Sequence, residues 1–301
     1  MKHLPLRSHE YGQLLHDFTG WIATLGYAES SVYGLPLYLR EFLHFLEQQQ
    51  MESLEEISSH QTEQFFEYLA KRGNLRRGGL LSASHRNKYI QAIKLLAKFW
   101  QITDRGILPL EMQRLKVARK LESVLSPEEV QTLYACCDPT TPVGIRDRAM
   151  LSIYYGCGLR RSEGTGLDVR DVLFRRKLLY VRKGKNYQER YVPLTTAIIA
   201  DLQTYLHQRR PALLGGQHTP ALLLSERGKR IQSQSLAIRL GVLCHRAGLS
   251  HRTITLHTLR HSIATHLLQS GMALQDIARF LGHRSLEATQ IYTHLDDARG
   301  L

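Results

Sequence analysis

The sequence is poor in the features that would place it in several large classes. Its four cysteines, Cys136, Cys137, Cys157 and Cys244, form no Cys-x-x-Cys pair. A disulfide framework or a zinc-ribbon site is therefore not indicated, and the thiols read as small buried hydrophobes in a reducing compartment. No apolar run approaches the ~20 residues needed to span a bilayer. The opening stretch, MKHLPLRSHEYGQ, has no apolar core of signal-peptide type, so a cytoplasmic location is expected. Acidic residues are scarce where they would be most informative, since none occurs between Tyr68 and Thr103.

What the chain does have is positive charge. Its 301 residues carry 40 Lys and Arg against 27 Asp and Glu, a formal net charge of +13. Such an excess points to a polyanionic partner. Residues 1–123 are close to balanced, at net +3, and residues 124–301 hold the other +10. The balance in the first part hides a segregation. Lys71, Arg72, Arg76, Arg77, Arg86, Lys88, Lys94 and Lys98 all fall within the stretch without acids. A solvated surface normally mixes signs. This block therefore reads as a phosphate-facing surface, with Arg76, Arg77, Arg86, Lys88, Lys94 and Lys98 as DNA-binding candidates.

Apolar spacing predicts a mainly α-helical chain with a small antiparallel β-sheet. Leu14, Leu15, Phe18, Trp21, Ile22 and Leu25 define a first helix stopped by Gly26. A second runs from Ser30 toward Glu47, with a break or late start expected at Pro36. A third opens at the capping-box string Ser58-x-x-Gln61. A fourth reaches from Ser82 or Ser84 to Trp100. One of its stripes is apolar (Ile90, Ile93, Ala97, Trp100), and the other is polar and basic (Asn87, Gln91, Lys94, Lys98), as suits a helix laid against DNA. Residues 109–123 read as a linker between a helical domain, 1–108, and a second domain, 124–301. Ser126-Pro127-Glu128-Glu129 opens the latter with a cap, a first-turn proline and a capping-box glutamate. Arg146 to Gly156 reads as an apolar helix. Residues 177–182 and 189–194 read as two hairpin strands, and helices follow over 196–210, 234–247, 257–269, 274–281 and 286–292.

Four clusters in the second domain carry reactive groups. They are Arg160-Arg161-Ser162-Glu163, Lys183-Gly184-Lys185 in the hairpin loop, His257-Thr258-Leu259-Arg260, and Leu281-Gly282-His283 with Tyr292 nine residues on. Two guanidiniums clamp the nonbridging oxygens of a phosphate. An ammonium or imidazole moves protons, and a phenol attacks phosphorus. No acidic metal cluster accompanies them, so metal-free transesterification is the chemistry they suit. His257, His261 and His266 share one helix, but their spacing does not converge on one ion, so no metal site is assigned.

These clusters resemble the boxes of the tyrosine recombinase (phage integrase) family, in particular its Xer-like members. YYGCGLRRSE (Tyr154–Glu163) is similar to the first arginine box, and HTLRHSIATHLL (His257–Leu268) to the second. LGH and TQIYTHL (Thr289–Leu295) are similar to the closing segment, and VRKGKNYQERYVPL (Val181–Leu194) to the strand–turn–strand that carries the family's lysine. The resemblance implies a helical core-binding domain joined to a mixed α/β catalytic domain, clamped around double-stranded DNA at specific recombination sites. It implies a homo-tetramer on two sites, or one shared with a related recombinase, and strand exchange through a Holliday junction without a cofactor. By the same resemblance Arg160 and Arg260 hold the scissile phosphate, and Lys185, counted back from the ERYVPL strand in preference to Lys183, protonates the 5′-oxygen. His257 acts as acid/base or phosphate ligand, His283 orients the phosphate, Glu163 orients its neighbours, and Tyr292 is the nucleophile. Gly164 departs from the apolar residue usual after Ser-Glu, which is expected to loosen the helix by about 1 kcal/mol. The few residues after Tyr292 leave little chain for a helix that docks in a neighbouring subunit. Two further readings share these residues: a type IB topoisomerase-like relaxing activity, and an inactive DNA-binding protein of the same fold.

Overall fold

The computed structural model describes residues 4–51, 53–74, 78–109, 112–117, 123–182 and 189–282. Arg76, Arg77, Lys183, Lys185, His283, Tyr292 and the helix expected over 286–292 lie outside the described residues. The chain divides into two compact units, Met1–Lys120 and Leu121–Leu301.

In the first unit, Ser8 caps α1 (His9–Thr24), whose Tyr11, Leu14, Leu15, Phe18 and Ile22 are buried at helical spacing. The second helix, α2 (Glu29–Gln48), runs through Pro36 without the expected break. A helix-interior proline costs ~3 kcal/mol. Leu35, Leu39, Phe42, Leu43 and Leu46 are all buried on this helix, each contributing about 1.5–3 kcal/mol, so packing outweighs the proline. The Ser58–Gln61 capping box opens α3 (Ser59–Lys71), and Ser82 caps α4 (Ala83–Ile102).

Two polar residues of the basic stretch turn inward. Asn87 donates to the Leu115 carbonyl at 2.9 Å and accepts from the Leu115 amide at 2.8 Å, pinning the segment after α4 to that helix. Arg72 pairs at 2.7 Å with Glu41, a carboxylate 2% exposed that also accepts from the Tyr89 hydroxyl at 2.7 Å. The expected polar stripe on α4 therefore loses Asn87 and keeps Gln91, Lys94 and Lys98, all exposed.

In the second unit the Ser126–Glu129 capping box opens α5 (Pro127–Ala135). The apolar helix α6 (Pro142–Leu151) continues into a π-helical turn, Ser152–Gly156, and α7 (Arg161–Gly166) follows. The sheet has three antiparallel strands in the order β1 (Val172–Leu173), β2 (Leu178–Val181), β3 (Arg190–Pro193), with Leu179 paired to both Val172 and Val192. The sequence reading has β2 and β3 but not β1, which at two residues is too short to show an alternating pattern. Then come α8 (Thr196–Gln203), a π-helical turn at Thr204–Arg209, α9 (Arg210–Leu214), α10 (Ser233–Arg246), α11 (Leu256–Gln269) and α12 (Leu274–Leu281). Of the described helices, none is long and apolar enough to cross a membrane.

Gly164 makes room beside α7. A Cβ there would fall 2.5 Å from the Tyr154 ring. That ring is fully buried, and its hydroxyl donates to the Arg161 carbonyl at 3.0 Å. The helix-propensity cost of glycine is offset by burying a tyrosine against the start of the arginine box.

Candidate active site

The second unit brings three distant segments to one carboxylate. The π-helical turn after α6 leads into Gly158, whose φ of +59° and closeness to Leu281 and Phe280 of α12 exclude a side chain. This turn puts Arg160 at the head of α7. Glu163, one turn on, accepts from the Arg160 main-chain amide at 2.9 Å, and its Oε1 accepts from Arg160 Nη1 at 2.9 Å. Arg190, the first residue of β3, donates from Nη1 and Nη2 to Oε1 and Oε2 of Glu163 at 3.0 and 2.9 Å. Arg260 of α11 brings Nη1 to 3.9 Å from Oε2.

The cluster holds three guanidiniums and one carboxylate, which leaves a formal surplus of two positive charges. Burial alone would raise the Glu163 pKa. The hydrogen bonds and charge of Arg190, followed by the hydrogen bonds from Arg160, overcome it and hold the carboxyl down at about 2. Glu163 is thus ionised at any working pH. The arginines differ in access: side-chain exposure is 23% for Arg160, 8% for Arg190 and 2% for Arg260. Arg260 is held by carbonyls, Nη1 donating to Gly158 at 2.6 Å and Nη2 to Leu281 at 2.8 Å. Arg160 Nη2 donates to the Gly282 carbonyl at 3.3 Å.

His257 stands exposed in the first turn of α11, three residues before Arg260 and on the same face. His266, one of the histidines weighed for metal, is committed elsewhere. Its ring nitrogens lie 2.9 Å from the Tyr155 hydroxyl and 2.9 Å from the Leu125 carbonyl, and burial lowers its pKa. Of the sequence candidates, the structure therefore joins Arg160, Glu163 and Arg260 and places His257 on α11, three residues before Arg260. Lys185, His283 and Tyr292 fall outside the described residues. Lys88, Lys94 and Lys98 are exposed on the first unit, whereas Arg86 is half-buried and lines a cavity with Glu63, Phe66 and Glu67.

Sequence reasoning passed over Arg190. It sits in the ERYVPL string, read only as a strand. A charged residue at the start of a short strand is ordinary, and nothing local distinguishes an arginine aimed at solvent from one aimed at a carboxylate 27 positions away.

Two further ionic networks lie in this unit, the first of them at the strand pair. Arg182, at the end of β2, donates to Asp171 at 2.8 Å and pairs with Asp168 at 2.7 Å, and Arg230 pairs with Asp168 from the loop before α10. Asp147, fully buried, is held between Arg146 and Arg239 at 3.0 and 2.6 Å.

Residues 123–299 match the Phage integrase family. The chain belongs to this family of tyrosine recombinases. Over 276 residues the recombinase is 31% identical to Tyrosine recombinase XerC 2 of Ralstonia nicotianae, covering 90% of this chain and 78% of the relative. It is 40% identical over 210 residues to Tyrosine recombinase XerC of Chlamydia trachomatis (68% of this chain, 65% of the relative). It is 39% identical over 190 residues to Tyrosine recombinase XerD of Pseudomonas aeruginosa (63% of each). The chain thus spans just under two thirds of the length of the last two. Among solved structures, its fold is similar to that of XerH site-specific recombinase bound to a palindromic difH substrate, with a TM-score of 0.72, 23% identity and coverage of 89% and 77%. It is also similar to a lambda integrase (75–356) dimer bound to a COC′ core site, with a TM-score of 0.68, 16% identity and 96% coverage of both chains. The mainly helical architecture with one small antiparallel sheet is that of these recombinases, and site-specific DNA recombination is the activity of the family.

Proposed function

We propose that this recombinase exchanges strands between two double-stranded DNA sites through a 3′-phosphotyrosine and a Holliday junction. The observation that carries the reading is the convergence of Arg160 and Arg260, a hundred residues apart, on Glu163 and on neighbouring carbonyls at the end of α12. A nonbridging phosphate oxygen pair needs two such donors, fixed in advance, as charge builds on phosphorus.

In this reading the Tyr292 oxygen bonds to phosphorus while the bond from phosphorus to the 5′-oxygen breaks. The phenol proton leaves to a base, for which His257 is the candidate, and Lys185 supplies a proton to the departing 5′-oxygen. His283 orients the phosphate. The free 5′-hydroxyl then attacks the phosphotyrosine of the partner duplex and releases Tyr292. Phosphate ester bonds are conserved in number, so no ATP is required, and the fixed guanidiniums supply the positive charge on the phosphate. A homo-tetramer on two sites, or one shared with a related recombinase, follows from the need for two duplexes cut in pairs. On the first unit, Lys88, Lys94 and Lys98, together with Arg76, Arg77 and Arg86, would neutralise flanking phosphates.

The test is incubation with supercoiled plasmids carrying paired candidate sites, in EDTA. Recombinant circles are expected. Relaxed plasmid without recombinants would favour the topoisomerase-like reading, and binding without any covalent product the inactive one. A second measurement addresses the first unit. Lys94→Gln with Lys98→Gln should weaken DNA binding and lower the slope of log K against log salt by about 2, roughly one for each phosphate left unneutralised. An unchanged slope would mean that this face of α4 is merely solvated.

A further inference from the structure

Arg190 stands outside the roles set out above, yet it binds both Glu163 and the end of α12. Its bidentate pair with Glu163 uses both terminal nitrogens, and Nε donates to the Phe280 carbonyl at 3.1 Å. The next two carbonyls along the chain, Leu281 and Gly282, accept from Arg260 and Arg160. Three consecutive carbonyls at the end of α12 therefore each accept from a different arginine, and those three arginines share one carboxylate. The partial negative charge of a helix C-terminus favours one nearby cation. It does not call for three, drawn from β3, α11 and the head of α7.

The division of labour follows from access and geometry. Arg160 is partly open, and Arg260 spans two carbonyls. Arg190 has a planar fork fully engaged on protein oxygens, with both oxygens of Glu163 in its grip. Like charges held this close repel unless a fixed counter-charge sits between them, and Glu163 is that charge. Arg190 grips both of its oxygens from β3, and Arg160 donates to it from the side chain and the main-chain amide.

We propose that Arg190 is a positioning residue of the recombination reaction: it locks Glu163 and the end of α12 into one frame, and through them aims the Arg160 and Arg260 guanidiniums at the scissile phosphate. The inference rests on the reading that those two arginines hold the phosphate. It also explains why the position holds arginine. A lysine keeps the charge but is a point donor on a flexible stem, unable to grip both carboxylate oxygens and the Phe280 carbonyl at once.

The experiment is single-turnover cleavage of a nicked duplex, chosen for binding to the wild-type chain from a random-sequence pool. The nick lets the fragment bearing the new 5′-hydroxyl dissociate, so the covalent adduct accumulates. Arg190→Lys, Arg190→Gln, Glu163→Gln and the Arg190→Lys/Glu163→Gln double variant are compared with wild type below their melting temperatures. Arg190→Lys is expected to bind the duplex with Kd within about twofold of wild type while forming adduct about 100-fold more slowly, the scale of a roughly 1 Å misplacement at a reacting centre. The double variant should cleave no more slowly than the slower single variant, because both act through one frame. Two results would overturn the proposal: a rate that falls only in proportion to the folded or bound fraction, or losses that add in the double variant. A wild-type chain that forms no adduct contradicts the phosphotyrosine reading itself, and this inference falls with it.

Discussion

Replacing Glu163 by alanine is expected to destabilise the second unit by about 3–5 kcal/mol, the scale for removing one partner of a buried ion pair. The reason is the uncompensated charge left behind. Arg190 and Arg260 are 8% and 2% exposed, and neither can turn to water without giving up the carbonyls at the end of α12. Urea unfolding of the second unit's transition measures the loss. The same carboxylate links stability to pH. Its pKa is depressed from the usual 4.5 to about 2, so its contribution is fully present above pH 4.5 and is lost as pH falls toward 2. Glu163→Gln removes that contribution at every pH. The stability gap between wild type and Glu163→Gln should therefore be widest near neutrality and close on acidification between those two values. A gap that stays constant over that range would mean that the carboxylate is not held ionised by its arginines.

The second large effect belongs to Arg260. Alanine there leaves the buried carbonyls of Gly158 and Leu281 without their donor, and in the proposed reaction it takes one guanidinium from the phosphate. Loss of one preorganised donor to a developing oxyanion costs about 100- to 1,000-fold in rate. Adduct formation by Arg260→Ala should fall by at least that factor, and Arg260→Lys should recover little, since a point donor on a flexible stem does not reproduce the fixed fork that serves both carbonyls. DNA binding, assigned in the proposed function largely to basic residues elsewhere, should change far less. A variant that binds and cleaves like wild type would remove Arg260 from the site.

Much of this was legible in the amino-acid order. Ser58 with Gln61, and Ser126 with Glu129, open helices where their capping strings stand, because a side-chain cap is a local interaction between neighbours in sequence. The second arginine box falls on α11, with His257 and Arg260 one turn apart. What the sequence concealed was long-range. Pro36 reads as a break because the packing that outweighs it lies on other helices. Asn87 reads as part of a DNA-facing stripe because its partner, the Leu115 main chain, is 28 positions away. Glu163 stands three residues from Arg160 in the first box, but nothing in the sequence marks it as the meeting point of three arginines. Arg190 left no periodic or motif signal at all. The π-helical turn before Gly158 likewise has no sequence mark, although it sets the path into the arginine box. Such turns recur at functional sites.

The central claim is that a phenolic oxygen becomes esterified to DNA within reach of this arginine cluster. Its most direct test is to trap the wild-type protein on a nicked duplex in EDTA, digest the adduct with protease and nuclease, and locate the modified peptide by mass spectrometry. The account predicts a nucleotide carried on Tyr292 and no adduct in Tyr292→Phe. A nucleotide on another side chain, or an adduct that persists in Tyr292→Phe, would contradict it.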